Sequence, residues 1–144
     1  MSDLINILLV DDSADDVEFT LAALRETKLS NTVHVVSDGV EAMQYLRQEG
    51  QFASADRPSL VLLDLNMPRK DGREVLTEMK ADPELRKIPV VILTTSQAEE
   101  DVVRSYDLHA NCYISKPVGL NELSRVVRMI DEFWFGIVKL PPVR

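Results

Sequence analysis

One cysteine in 144 residues leaves no partner for an internal disulfide, so Cys112 fits a reducing compartment and the fold must hold by its core. Basic residues are also scarce: 16 Lys and Arg face 24 Asp and Glu, a net charge of -8. A nucleic-acid groove needs clustered cations to displace counterions, and an electrostatic membrane anchor needs them as well; the balance argues against both. No apolar run is long enough to span a bilayer. Met1-Ser2-Asp3-Leu4 lacks the basic start and apolar stretch of an export signal, which points to the cytoplasm. Repeats, low-complexity tracts and interdomain linkers are missing too. What is left is an acidic single domain, long enough to bury a core without staples.

Within it, short apolar runs alternate with segments of helical spacing. Ile5 to Val10, Val33 to Val36, Leu60 to Leu63, Pro89 to Leu93 and Tyr113-Ile114 are the runs. Their Val, Ile and Leu content without polar alternation predicts strands covered on both faces. Apolar residues at helical spacing follow each run: Val17, Leu21 and Leu24; Ala42, Met43 and Leu46; Val75, Leu76 and Met79; Val102, Val103 and Tyr106; and Leu123, Val126, Val127, Ile130 and Phe133. Ser13 with Asp16, Asp38 with Glu41, Asp71 with Glu74 and Ser96 with Glu99 pair an oxygen acceptor with an acid three residues on, a helix-start signature. Five strand–helix repeats predict an α/β fold, a parallel sheet with helices on both faces. Ligands of such sheets bind at the carboxyl ends of the strands.

Those ends carry a short list: Asp11 and Asp12 after the first strand, Asp64 at the third, Thr94 and Thr95 at the fourth, Lys116-Pro117 after the fifth. Each has an ordinary reading by itself, as helix cap, Asx turn, β-branched strand residue or solvated loop charge. Jointly they describe a site: crowded carboxylates call for a hard cation such as Mg²⁺, and a lysine suits a phosphate or carboxylate oxygen. Such a set stabilises a phosphoryl group in transit.

Val-Asp11-Asp12-Ser, Leu-Asp64-Leu-Asn66-Met-Pro68, Leu-Thr94-Thr95 and Tyr113-Ile-Ser-Lys116-Pro117 together resemble the signature of two-component response-regulator receiver domains, over about Ile5 to Phe135. The resemblance implies a doubly wound (βα)₅ fold of the flavodoxin-like kind with strand order 2-1-3-4-5. It makes Asp64 the phosphoacceptor. Mg²⁺ would be bound by Asp12, Asp64 and the backbone carbonyl of Asn66, with Asp11 further from the ion. Thr94 and Lys116 would hold phosphoryl oxygens, Tyr113 would be the aromatic switch, and the bond before Pro117 would be cis. Tyr106 to Tyr113, with His109 and Cys112, and the tail from Phe133 to Pro141 are similar to small regulators paired with bacterial and cyanobacterial phytochrome kinases. The implied partner is therefore a sensor histidine kinase, and the implied chemistry is confined to phosphorylation of Asp64 and its self-catalysed reversal. His109 reads as a packed or surface residue.

Residues 1–135 are expected to form the receiver and 136–144 an extension, with no output domain following. Trp134, Phe135, Ile137, Val138 and Leu140 cluster past the usual end of a receiver; they could extend the core, but an apolar patch of this kind points to a homodimer contact. Three rivals differ in class. A haloacid-dehalogenase-type phosphatase needs an acid two residues after its nucleophile, where this chain has Asn66. A flavodoxin needs a first loop that cradles phosphate, where Asp11 and Asp12 would repel it. A receiver-like interaction module without phosphorylation would have little use for the full acceptor set.

Overall fold

A computed structural model describes residues 5–26, 31–65, 67, 69–94, 112–116, 118–119, 121–125 and 128. Its elements run β1 (Ile5–Val10), α1 (Ala14–Arg25), β2 (Asn31–Val36), α2 (Gly39–Leu46), a 3-10 turn (Gly50–Phe52), β3 (Leu60–Asp64), α3 (Gly72–Ala81), β4 (Val90–Thr94) and β5 (Cys112–Ser115). Residues 121–125 are helical as well. The expected fourth helix with Ser96, together with Asn66, Thr95, His109, Pro117 and the Trp134 to Leu140 cluster, lies outside the described residues.

The five strands form one sheet in the order β2-β1-β3-β4-β5, every pairing parallel. Strand order reverses at β1: the chain steps out to β2, then crosses back over β1 to reach β3. That reversal opens a crevice at the carboxyl ends of β1 and β3.

Successive side chains of a strand point to opposite faces, so an apolar run feeds two cores at once. Leu8 and Val10 pack with Met43, Leu46, Leu76 and Met79 of α2 and α3. Ile7 and Leu9 pack on the other face with Leu24 of α1 and with Leu123. All five residues of β3 are buried, as expected of a strand in the middle of a doubly covered sheet.

Capping chemistry starts the helices where the sequence places it. The side chains of Ser13, Asp38 and Asp71 accept from the amides of Asp16, Glu41 and Glu74 at 3.3, 2.9 and 3.0 Å. Among the described residues Asp71 and Glu74 alone close a full reciprocal box, the Glu74 carboxylate taking the Asp71 amide at 3.1 Å. Glu41 turns instead to the amide and hydroxyl of Ser37.

Two glycines allow backbone segments to touch. A Cβ on Gly72 would collide with the carbonyl oxygen of Asp64 and come within 2.8 Å of Leu65 Cα. One on Gly39 would collide with the carbonyl oxygen of Lys70, which accepts the Gly39 amide at 3.0 Å. Arg69 adopts a left-handed backbone, φ 65°, unusual for a residue with a side chain. Its guanidinium closes on Asp38 Oδ2 through two contacts, of 2.9 and 2.6 Å.

Candidate functional site

Register brings the chemistry to one rim. Val10 pairs with Val36 and Leu63, Asp64 with Leu93, and Thr94 with Ser115, so Asp11, Asp64, Thr94 and Lys116 leave the sheet at the same end. Backbone bonds prolong the ladder past the last pairs: the Asp11 amide donates to the Val36 carbonyl at 3.1 Å and the Lys116 amide to the Thr94 carbonyl at 2.8 Å.

Lys116 reaches back across the rim to the acids. Its Nζ lies 3.1 Å from Asp64 Oδ2, 3.1 Å from Asp11 Oδ2 and 2.9 Å from Asp16 Oδ2. The ammonium side chain is 7% exposed, and those of Asp11 and Asp64 are 0% and 6% exposed. Burial by itself would lower the lysine pKa; hydrogen bonding to Asp16, the charge of Asp64, and hydrogen bonding to Asp11 with its charge outweigh it and hold the pKa above its ordinary value. The site cation therefore stays charged throughout the physiological range.

Asp11, Asp12 and Asp64 each bring a carboxylate oxygen within 4.8 Å of the others. Asp12 is exposed at the mouth, whereas the other two are buried. Asp11 Oδ1 accepts the Ser13 amide at 3.0 Å, and its buried Oδ2 faces the Lys116 ammonium at 3.1 Å. An all-oxygen donor set of three carboxylates fits a hard divalent cation. Thr94 is buried beside this group at the end of β4, and Tyr113 is half-buried against the core formed with α2 and α3.

Sequence reasoning located Asp11, Asp12, Asp64, Thr94 and Lys116, and the structure gathers them. It missed the second duty of Asp16. That residue reads in sequence only as the partner of a capping Ser13, and its amide does play that part; its carboxylate points away, to Lys116. An acid in the first turn of a helix that begins at the strand ends was the available signal. Arg69 was also missed, since nothing in a Pro-Arg-Lys-Asp-Gly turn announces a partner 31 residues earlier. Between Gln48 and Ser59, Phe52 joins His34 and Tyr45 in an aromatic cluster with centroids 4.6 to 5.6 Å apart.

Residues 7–128 match the family model of the response regulator receiver domain. Response regulator Rcp1 of Synechocystis sp. is 47% identical over 135 residues, covering 94% of this chain and 92% of Rcp1. The structure is similar to that of a phosphorylated cyanobacterial phytochrome response regulator, RcpA, with 53% identity, a TM-score of 0.76 and coverage of 91% and 94% of the two chains. A Mn²⁺-bound form of Rcp1 superposes with a TM-score of 0.75 at 44% identity, covering 97% of each chain.

Proposed function

The chain belongs to the response regulator receiver family, and from that premise we propose that it is a stand-alone regulator phosphorylated on Asp64 by a sensor histidine kinase of the phytochrome type. The observation that carries the reading is the meeting of Asp64 with Lys116 at 3.1 Å inside a group of three carboxylates. Receivers are signalling proteins, and this one is not a turnover enzyme. The similarity to RcpA, named as a phytochrome response regulator, supports the choice of kinase. Since the match takes in 92% of Rcp1, that relative has little length left for a separate output domain. Among the described residues no helix is long and apolar enough to cross a membrane, and the acidic, single-cysteine composition suits the cytoplasm.

In this mechanism a carboxylate oxygen of Asp64 attacks the phosphorus of a phosphohistidine. The N–P bond breaks, its electron pair leaves with the imidazole, and the new O–P bond makes an acyl phosphate. Lys116 offsets charge on the phosphoryl oxygens, and the Thr94 hydroxyl donates to one of them. Mg²⁺ held by Asp12, Asp64 and the Asn66 carbonyl, with Asp11 behind them, would supply the remaining neutralisation; a Mn²⁺-bound Rcp1 supports a divalent ion at such a site. Once Asp64 is phosphorylated, Thr94 moves inward, Tyr113 follows, and the surface formed by the fourth helix, β5 and the last helix shifts between two states. Hydrolysis of the acyl phosphate by the same residues resets the switch. The apolar residues Trp134, Phe135, Ile137, Val138 and Leu140 serve a homodimer contact, residues 136–144 forming an arm beyond the receiver of residues 1–135.

Acetyl phosphate with Mg²⁺ should leave a phosphoryl adduct detectable by intact mass, and Asp64→Asn should lose it. The same adduct on Asp64→Asn would overturn the assignment of the acceptor.

A further inference from the structure

Lys116 has more anionic neighbours than its proposed task requires. Its two buried neighbours, Asp11 and Asp64, already fix the ammonium in the crevice at 3.1 Å each. The third, Asp16, stands on α1, 100 residues away in sequence, and takes a hydrogen bond from Nζ at 2.9 Å. Asp16 is a third exposed at its side chain, so water reaches it as it does not reach the other two. An ammonium has three donors, and three carboxylate oxygens already surround this one within 3.1 Å. A phosphoryl oxygen arriving on Asp64 must displace one of them. Asp64 carries the phosphoryl group itself and Asp11 has no solvent to turn to, whereas Asp16 is hydrated as soon as it is released.

We propose that Asp16 is a positioning residue: it holds Lys116 in the resting state and competes with the phosphoryl group for the same ammonium. This rests on the reading of Asp64 as phosphoacceptor. In the resting state Asp16 draws the ammonium toward α1, keeping its charge from bearing fully on the oxygens of Asp11 and Asp64 that face a divalent ion. In the phosphorylated state it yields. One carboxylate thus acts with opposite sign on the two ligands of the site, favouring the cation and opposing the phosphoryl group.

Calorimetric titration of the full chain tests this with two probes, Mg²⁺ alone and beryllofluoride at saturating Mg²⁺, the latter a non-covalent stand-in for the phosphoryl group. Asp16→Asn should bind beryllofluoride roughly fivefold more tightly, the scale of one partly exposed charge-assisted hydrogen bond, and Mg²⁺ alone more weakly. Asp15→Asn removes the same charge from the exposed neighbouring position and should change neither affinity by more than about twofold. Equal effects from the two variants would reduce Asp16 to bulk charge and overturn the proposal. Weakening of both probes in Asp16→Asn would mean structural damage and overturn it too, as would beryllofluoride affinity that does not change. Failure of the unaltered protein to bind beryllofluoride at all would sink the phosphoacceptor reading, and this one with it.

Discussion

At Gly72 the chain runs so close to Asp64 and Leu65 that a single methyl group would collide with the Asp64 carbonyl. The neighbours are backbone, which cannot swing aside as a flexible side chain does. Gly72→Ala should therefore cost roughly 1–3 kcal/mol, as overpacking does, seen as a lower urea midpoint with little change in slope. A midpoint equal to the parent's would show that α3 can slide away from β3. Asp38 makes a second residue-scale case. Burial raises its pKa, but the Glu41 amide and the Arg69 guanidinium lower it more, and the net shift is below the usual value of 3.8. A carboxylate depressed on folding adds stability above its unfolded pKa and loses it as pH falls through the folded one. Below about pH 4 the parent should thus lose stability that Asp38→Asn, with no charge to protonate, has already forgone. Denaturation curves at pH 6 and pH 3 check this: a gap between the two proteins that fails to narrow in acid would remove Asp38 from the acid response.

Among the elements, strands were the most legible part of the sequence, because a doubly covered parallel strand must be apolar nearly throughout. Leu60 to Leu63 could be read from composition alone, and β3 adds only Asp64. The second and fifth strands were read short: β2 begins at Asn31 and β5 at Cys112, polar or ambiguous residues that a hydrophobic run does not include. Caps at Ser13, Asp38 and Asp71 were legible since a short oxygen side chain before a helix has a local task. The acids three residues on were legible only in part, because each carboxylate has rivals for its attention. Glu74 turns back to its cap, Glu41 finds Ser37 and Asp16 finds Lys116. The last partner comes from the far end of the domain, which no local pattern encodes. The Arg69–Asp38 clasp was hidden for the same reason. Strand-end placement, in contrast, is a property of topology, so recognising five repeats was enough to predict that residues 11, 64, 94 and 116 converge.

For the molecule as a whole, assembly follows from the proposed arm. Trp134, Phe135, Ile137, Val138 and Leu140 are five large apolar residues, each worth roughly 1.5–3 kcal/mol when fully buried. Even after the cost of association such a contact can support a dimer. Light scattering at micromolar concentration should give a dimer mass for the full chain. Deletion of Gly136 to Arg144 should move it toward monomer while Asp64 still accepts a phosphoryl group. A monomer mass for the full chain would return these residues to the protein's own core.

The glycine contacts and the Arg69 clasp also decide which way a push can travel. On one side of Asp64 described residues beyond β3 are tied at three points, by the Gly72 amide on the Leu65 carbonyl, the Gly39 amide on the Lys70 carbonyl, and the Arg69 guanidinium on Asp38. That flank behaves as a fulcrum. On the other flank the Lys116 ammonium reaches Asp64 Oδ2 through a long side chain, which turns about single bonds at little cost. A lever arm bends where it is not bolted: under the proposed phosphorylation, work done by a new charge on Asp64 would be delivered toward Lys116 at the end of β5, with the flank of α2 and α3 as the frame against which it is done.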